Sequence, residues 1–171
     1  MKAYVTIKSL SSIHVDQVAA IELASYQNHF TREQIRQICV ANGSQEFQGI
    51  VGIHERNIVA GYVVYRILPY SIEIMTGAVA TSQRRLSIGT QLIDHIKSVA
   101  ALRSKPVVRI GIAETNYAAQ SFLKCCGFIC IGIEKELQTW HGDTGFYHFK
   151  HDPNARFTNP KNRIKSATDH G

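Results

Sequence analysis

The first half of the chain alternates between apolar and polar residues in a way that is typical of strands. This alternation predicts strands at AYVTIKS, FQGIVGIH, IVAGYVVYRI and SIEIMTGAVA. A short polar turn, Glu55-Arg56-Asn57, separates the second of these segments from the third. We therefore expect a β-hairpin there, followed by a strand that ends near Val79.

Between the first two strands, apolar residues recur with a helical period of about 3.6 residues. HVDQVAAIELAS predicts one helix, and TREQIRQICVANG predicts a second. In the second segment Thr31 and Gln34 have the spacing of a capping box, and Asn42-Gly43 is a helix-stop signal. The hairpin is therefore expected to follow a pair of helices.

The second half of the chain alternates between helices and strands. TSQRRLSIGTQLIDHI predicts a turn that leads into a helix, PVVRIGIA a strand covered on both faces, and TNYAAQSFLKCCGF another helix that ends at Gly127 in the left-handed conformation. FICIGIEKEL and GFYHFKH supply the last two strands. The order β-α-α-β-β-β-α-β-α-β-β predicts an α/β (α+β) fold, with a mixed, partly antiparallel sheet of about seven strands and helices on both faces.

Length and composition indicate one domain. Of the 171 residues, 44% are hydrophobic, which suits a single core that we place at residues 1–150. Residues 151–171 are basic and hold few apolar side chains, so this segment is predicted to be a mobile tail. No apolar run of about 18 residues and no secretory signal pattern occurs, which predicts a cytoplasmic protein with no membrane partner.

Charge and cysteine content narrow the classes of function. The net charge of +6 favours encounter with anionic ligands, but no basic tract with interleaved aromatic residues indicates a nucleic-acid partner. Cys39, Cys125, Cys126 and Cys130 lack the spacing of a metal site or a disulfide framework. We expect them to be small buried hydrophobic residues, and we expect no metal.

The stretch VATSQRRLSIGTQLIDHI is a candidate for binding a diphosphate. A tight loop that runs into a helix N-terminus points several backbone N–H donors at one place and adds the positive end of the helix dipole. Arg84 and Arg85 add charge at this loop, and Gly89 lies at the start of the predicted helix. A basic loop that merely precedes a helix would have the same sequence pattern, so the stretch alone leaves both interpretations open.

A second motif gives this loop a context. The chain has Arg84-Arg85-Leu86-Ser87-Ile88-Gly89 after a strand, and then NYAAQSFLKCCGF from Asn116 to Phe128 after another strand. Together they resemble the GCN5-related N-acetyltransferase (GNAT) family, whose members carry Arg/Gln-x-x-Gly-x-Gly/Ala and later Asn-x-x-Ala-x-x-Phe/Leu-Tyr-x-x-x-Gly-Phe. The resemblance covers roughly residues 3 to 150 and is strongest to the ribosomal-protein alanine acetyltransferases, which act on protein N-termini.

The resemblance implies that acetyl-CoA is the co-substrate and that it lies where two neighbouring parallel strands splay apart. Backbone groups of Gly77, Ala78 and Val79 would pair with the pantetheine arm. Asn116 would bond the cofactor near the thioester, and its position also suits a helix N-cap. The diphosphate would be wrapped by Arg84, Arg85, Leu86, Ser87, Ile88 and Gly89.

This chain departs from the family pattern at three positions. Ser87 replaces the first motif glycine, and if φ is positive there the backbone carries a cost of about 1 kcal/mol or more. Gly111 stands where the alanine acetyltransferases have their glutamate base, and Leu123 stands where they have their tyrosine acid. The groups that usually accept the amine proton and protonate the CoA thiolate are therefore both replaced.

Glu73 is the candidate base that remains. It stands 16 residues before Gly89, the spacing at which the histone-type members of the family have theirs. Strand alternation would place Glu73, Met75, Gly77 and Val79 on one face, and burial there would raise the pKa of Glu73. A solvent-facing charge at a strand end is the competing interpretation. For the acid, Tyr117, Ser121 and water stay open.

Three functions compete at this point. The first is an acetyl-CoA-dependent N-acetyltransferase in which an amine, such as a protein N-terminus, attacks the thioester directly, with no covalent intermediate on Cys125 or Cys126. The second is an acyl-CoA-binding or interaction protein that has lost turnover, because Gly111 and Leu123 lack the usual groups. A nucleic-acid-binding module is the third. The last hairpin, with Trp140, His141 and the run FYHF, borders the acceptor site in the family, although such residues also occur as core aromatics beside surface histidines.

Overall fold

The computed structural model describes residues 3–26, 30–41, 47–54, 57–135 and 145–154. Within these ranges the chain forms seven β-strands and four α-helices, in the order that the sequence predicts. The strands are β1 (Thr6–Ser9), β2 (Gln48–His54), β3 (Ile58–Ile67), β4 (Ser71–Val79), β5 (Val107–Ala113), β6 (Ile129–Lys135) and β7 (Gly145–His151). The helices are α1 (Val15–Ser25), α2 (Arg32–Ala41), α3 (Ile88–Leu102) and α4 (Tyr117–Cys125).

The strands form one mixed sheet in the order β1-β2-β3-β4-β5-β7-β6. Strands β4 and β5 run parallel, and the other neighbouring pairs are antiparallel. The parallel pair requires a crossover, which α3 supplies, whereas β2 and β3 join through a hairpin. The fold class predicted from the sequence is therefore confirmed.

Helices cover both faces of the sheet, and each face has its own hydrophobic core. On one side, which we call the α1/α2 face, Val18 and Ile35 pack with Val64 of β3. On the other, the α3/α4 face, Leu92 and Leu123 pack with residues of the central strands and of β7. Burial of apolar residues on both sides explains why the central strands read as nearly continuous hydrophobic runs.

The helix boundaries follow from local hydrogen bonds. At the start of α2, Thr31 Oγ1 accepts from Gln34 N–H at 3.2 Å and Gln34 Oε1 accepts from Thr31 N–H at 2.8 Å, which is the predicted capping box. At the start of α4, Asn116 Oδ1 accepts from Ala119 N–H at 3.1 Å. After α4, Gly127 has φ of +80°, the left-handed conformation that was expected.

A β-bulge on β4 overturns one prediction. The pairing with β3 shifts between Val64 and Tyr65, so Met75 is an extra residue on β4. Met75 packs on the α1/α2 face, whereas Val79 packs on the α3/α4 face. The expectation that Glu73, Met75, Gly77 and Val79 share one face is therefore wrong, because the bulge changes which face the following residues occupy.

The cysteines also differ in part from the prediction. Cys126 is buried, but Cys125 and Cys130 are exposed, and all four thiols are free. Trp140, His141 and the segment 155–171, which holds most of the predicted tail, lie outside the described residues. Across the described ranges, no helix is long and apolar enough to span a membrane.

Candidate functional site

The two parallel strands separate toward their carboxyl ends. Their pairing ends at Ile74 and Ile110, although β4 continues through residues 75–79 and β5 through residues 111–113. Strand β3 stays paired with β4 as far as Val79, so the two halves of the sheet diverge from this point. We call the gap between these two segments the β4–β5 opening. Such a place at the carboxyl ends of parallel strands is where open α/β sheets bind ligands.

The hydrogen-bond ladder shows which backbone groups of β4 face this opening. In an antiparallel ladder, every second residue bonds to the neighbouring strand and the residues between turn their N–H and C=O the other way. The N–H of Ala80 donates to the C=O of Ala60 at 2.8 Å. Ala78, two residues earlier, is thus also bonded to β3, and Gly77 and Val79 turn their N–H and C=O toward the opening. Of the three residues expected to contact a ligand through their backbone, Gly77 and Val79 face the opening, whereas Ala78 is bonded to β3.

Side chains already hold the two carbonyls that face the opening. The hydroxyl of Tyr26, at the end of α1, donates to Gly77 C=O at 2.7 Å. The Nε of Arg84 donates to Val79 C=O at 3.2 Å. These bonds fix the two peptide groups, and the N–H groups of Gly77 and Val79 are the donors that this edge can offer to a carbonyl oxygen.

Residues 84–89 form a tight loop before α3. Ser87 has φ of 63° and ψ of 15°, so the motif position that is glycine in the family is indeed left-handed. Arg85 also has a positive φ, of 64°. Left-handed residues occur in the backbone turns that bind anions, so this conformation is compatible with a phosphate at the loop.

The side chains of this loop divide into two groups. Arg84, Arg85 and Ser87 are exposed, so their polar groups are accessible to a phosphate. Ile88 is buried and Leu86 packs against the core of the α3/α4 face. Any contribution of these two residues to a ligand must therefore come from the backbone, and the first turn of α3 adds N–H groups to the site.

Packing against α4 gives a reason for the glycine at position 89, in addition to the close approach of a ligand. A Cβ on Gly89 would lie 3.1 Å from Cζ of Phe122 in α4, closer than most contacts of a real Cβ, and 3.6 Å from Cγ2 of Val79. Glycine thus allows α4 to approach the start of α3 beside the end of β4. This contact joins the start of α3 to the second half of α4.

Glu73 lies just before the opening, where β4 and β5 are still paired. Its register partner on β5 is Arg109, and its carboxylate Oε2 bonds Nε of Arg66 on β3. Glu73 and Arg66 are partly exposed. A carboxylate bonded to a guanidinium has part of its hydrogen-bonding capacity occupied, so Glu73 would have to share that bond or give it up when it accepts a proton.

The two positions that hold the usual base and acid in the family differ in their exposure. Leu123 is 2% exposed within the core of the α3/α4 face, so no polar group is available there. Gly111 is exposed at the edge of the opening, one residue past the last β4–β5 pair. A Cβ on Gly111 would lie 3.5 Å from Cδ1 of Phe146 and 4.0 Å from Nδ1 of His148.

His148 is a protonatable residue at the site that sequence reasoning left unassigned. It lies opposite Gly111 on β7, and its Nε2 bonds Oε2 of Glu134 on β6 at 2.7 Å. Both side chains are partly exposed, 42% for His148 and 46% for Glu134. Alternation in GFYHFKH predicts that His148 shares a face with Phe146, but only the cross-strand register shows that Gly111 and Glu134 are its neighbours.

A buried polar network beneath the opening was also missed. Glu22 of α1 is fully buried, and its Oε1 accepts from Thr76 Oγ1 at 3.2 Å; Thr76 Oγ1 lies 3.4 Å from the hydroxyl of Tyr62. Burial, with the charge of Glu22 as a smaller cause, raises the pKa of Tyr62 and that of Tyr26. Both hydroxyls therefore stay protonated at neutral pH, so Tyr26 keeps the proton that it donates to Gly77.

The start of α4 presents the remaining candidates. Asn116 is exposed and also caps the helix, so a ligand would share it with Ala119 N–H. Tyr117 is 73% exposed and Ser121 is exposed one turn later, which leaves both accessible as candidate acids. Among the described residues, no group of three or more His, Cys, Asp or Glu side chains could hold a metal ion.

Comparison with known proteins relates this geometry to a family. The model of the family described as Acetyltransferase (GNAT) family matches residues 15–128, which is more than half of the chain. The match includes the loop at residues 84–89 and both diverging strands. No sequence among the curated proteins matches the chain.

Solved structures share the fold at low sequence identity. The ribosomal-protein-S18-alanine N-acetyltransferase of Escherichia coli is similar with a TM-score of 0.71 and 16% identity, over 89% of this chain and 99% of that one. Ard1 of Thermoplasma volcanium gives a TM-score of 0.74 and 20% identity over 85% and 95% of the two chains. NAA60 of Arabidopsis thaliana, in complex with acetyl-CoA, gives a TM-score of 0.74 and 12% identity, over 88% of this chain and 99% of that one.

Proposed function

The chain belongs to the GNAT family of acetyltransferases, as its two motifs predicted, and from this premise we propose that it transfers the acetyl group of acetyl-CoA to the α-amine at a protein N-terminus. The observation that supports the proposal most directly is the β4–β5 opening. There, the backbone groups of Gly77 and Val79 face outward beside the start of α3. The similar structures include the ribosomal-protein-S18-alanine N-acetyltransferase of Escherichia coli, which motivates the acceptor class.

The chain offers separate contacts for each part of the co-substrate. The backbone N–H groups of residues 84–89 and the guanidinium groups of Arg84 and Arg85 suit the diphosphate, because donors and charge converge there. The N–H groups of Gly77 and Val79 suit the pantetheine and the thioester carbonyl. Asn116 lies at the start of the helix after β5 and suits the part of the molecule near the thioester.

Transfer by direct attack fits this site. A neutral amine attacks the thioester carbonyl carbon, the C–S bond breaks, and the backbone N–H of Val79 stabilises the negative charge that develops on the carbonyl oxygen. Holding both reactants in the opening contributes through proximity. A route through an acyl group on Cys126 is disfavoured, since burial raises the pKa of this thiol and reduces its thiolate fraction.

For the amine proton, Glu73 is the candidate base that the sequence offers. It lies on the α1/α2 face near the point where the strands diverge, and it is bonded to Arg66. Glu73→Gln tests this assignment directly. If the substitution leaves turnover and its pH profile unchanged, Glu73 is not the base.

The second candidate function is an acyl-CoA-binding protein without turnover. The replacement of the usual base and acid by Gly111 and by the buried Leu123 favours it. The two functions share the ligand site and differ only in whether the bound acetyl group is then transferred. A calorimetric titration with acetyl-CoA, followed by a CoA-release assay, separates them.

Three amines serve as acceptors in that assay. They are a peptide with a free N-terminal alanine, the same peptide with a blocked N-terminus and an internal lysine, and spermidine. We expect acetyl-CoA binding and CoA release with the first. Release with only lysine or spermidine would keep the acetyltransferase and exclude the N-terminal acceptor, and binding without any release would favour the second function.

The loop has its own test with a matched control. Arg85→Ala removes an exposed charge beside the start of α3 and is expected to weaken acetyl-CoA binding by about tenfold, with a smaller effect at high salt. Arg103→Ala removes the same charge at the other end of α3, roughly 20 Å away along a helix of this length. Equal effects of the two substitutions would show that only the overall charge matters and that residues 84–89 do not form the site.

A further inference from the structure

We propose that His148, held by Glu134, is the group that takes the proton of the attacking amine. The inference rests on the proposed acetyl transfer and names a catalytic residue for it. Its basis is the place that the imidazole occupies: beside Gly111, the β5 position at which a base would approach the opening, and on a different strand from any residue that the sequence motifs select.

Gly111 and His148 both point to the α1/α2 face of the sheet. Ile110 and Ile112 of β5 pack toward the α3/α4 face, so Gly111 between them points to the α1/α2 face. Phe149 of β7 is likewise buried on the α3/α4 side, and the adjacent His148 points to the same face as Gly111. The imidazole therefore lies on the same side of the sheet as Glu73, next to the opening.

The imidazole of His148 borders the space in front of Gly111. Because Gly111 carries no side chain, the space in front of it is bordered by its cross-strand neighbours. The Nδ1 and Cε1 of His148 each lie 4.0 Å from the position that a Cβ would take. The imidazole thus borders the space that a side chain from β5 would fill.

The contact with Glu134 fixes the tautomer of His148. Nε2 lies 2.7 Å from Oε2 of Glu134, and a carboxylate accepts hydrogen bonds without donating one, so Nε2 carries the proton. The lone pair of the neutral ring is then on Nδ1, the nitrogen on the Gly111 side. Glu134 also stabilises the imidazolium that forms when Nδ1 accepts a proton, which makes Glu134 a positioning residue.

The proton balance of the reaction is complete with these groups. The acceptor enters as an ammonium, Nδ1 of His148 takes one proton, and the neutral amine forms its bond to the carbonyl carbon as the C–S bond breaks. The nitrogen's second proton goes to the departing thiolate, through Tyr117, Ser121 or water. His148 then releases its proton to solvent, which regenerates the neutral ring.

Kinetics of matched variants test the proposal, with the amine that the wild-type protein acetylates fastest as acceptor. His148→Gln is expected to lower kcat by about 100-fold, the lower range for a lost general base, while KM for acetyl-CoA is unchanged. His95→Gln, in α3 on the other side of the sheet, is the histidine control and should keep full activity. Thermal unfolding of each variant measures whether the substitution has affected the fold.

Two further measurements separate catalysis from a surface pair that only joins β6 to β7. Imidazole added to His148→Ala should restore part of the lost rate, which a purely structural role would not allow. Glu134→Gln should move the acidic limb of the kcat/KM profile to lower pH, because the imidazolium loses its anionic partner. Among the described side chains of β5, β6 and β7, the other charged groups on this face are those of Arg109 and Lys150, and both stay in place in these variants.

The outcomes distinguish this inference from the function on which it rests. If the wild-type protein neither binds acetyl-CoA nor releases CoA with any of the three amines, the proposed function fails, and the role of His148 fails with it. If the wild type is active, and His148→Gln retains its rate while Glu73→Gln loses it, the base is Glu73 and only this inference is overturned. If His148→Ala is active and imidazole does not stimulate it, only this inference is overturned.

Discussion

The hydroxyl of Tyr26 donates a 2.7 Å hydrogen bond to the backbone carbonyl of Gly77. It joins the end of α1 to the part of β4 that no longer pairs with β5. The bond holds the carbonyl of Gly77 on the side of β4 that faces the opening, where β5 no longer pairs with this strand. Helix α1 therefore contributes to the site through the backbone of β4.

Tyr26→Phe is expected to weaken both stability and ligand binding. Loss of the donor leaves Gly77 C=O without this bond and costs about 1 kcal/mol of unfolding free energy. KM for acetyl-CoA should rise by several-fold, whereas the pH profile of kcat stays unchanged. Tyr70→Phe, at a side chain that is 88% exposed, is the control and should change neither quantity. Wild-type values for Tyr26→Phe in urea unfolding and in steady-state kinetics would contradict this role.

The protein is expected to lose stability in alkaline solution. Burial raises the pKa of Tyr62 and Tyr26 in the folded state, whereas the unfolded chain ionises near the usual tyrosine pKa of about 10. Above that pH the folded state binds more protons than the unfolded state, so the free energy of unfolding falls as pH rises; well below it these tyrosines contribute no pH dependence.

Urea unfolding between about pH 8 and about pH 11 measures this slope. Tyr62→Phe should make the decline above pH 10 shallower, although the substitution itself costs stability at all pH values. Tyr70→Phe should leave the slope as it is, because that side chain is exposed. Equal slopes for wild type and Tyr62→Phe would show that other groups cause the alkaline loss.

Ser87→Gly is expected to stabilise the protein. Ser87 is left-handed, with φ of 63°, a conformation that costs a residue with a Cβ about 1 kcal/mol. The gain should appear as a rise in Tm of roughly 2–4 °C. Ser98→Gly, the same substitution at an exposed position inside α3, should instead lower stability by about 0.5 kcal/mol. A Tm that falls in both variants would mean that the Ser87 side chain contributes more than its backbone costs.

Gly111→Glu is expected to restore activity to a protein that lacks His148. The nearest atoms to a Cβ at Gly111 lie at 3.5 Å and 4.0 Å, which are ordinary contact distances, so the backbone accepts a Cβ there without a clash. In His148→Gln, a glutamate at this position would supply a carboxylate beside the opening and should recover about a tenth or more of the lost rate. Gly111→Gln in the same background, similar in size but without a base, is the control. Equal rates for the Glu and Gln variants would show that this position does not reach the amine.

Much of the fold follows directly from the sequence. The order of strands and helices, the capping box at Thr31 and Gln34 and the left-handed Gly127 are local features, so periodicity and capping signals were enough to predict them. The loop at residues 84–89 was predicted for the same reason. Its exposure, the left-handed Ser87 and its place before α3 agree with the sequence pattern.

Tertiary structure alone decided which side chains meet at the opening. The bulge at Met75 depends on pairing with β3, so alternation along β4 assigned Gly77 and Val79 to the wrong face relative to Glu73. His148 and Gly111 are 37 residues apart in the chain and become neighbours only through the β5–β7 register. Backbone conformation and helix ends are set by interactions within a few residues, whereas a site assembled from four strands and three helices depends on pairing and packing between distant segments. The sequence therefore determined the fold and the loop at residues 84–89, and the sheet register determined which protonatable groups lie beside the opening.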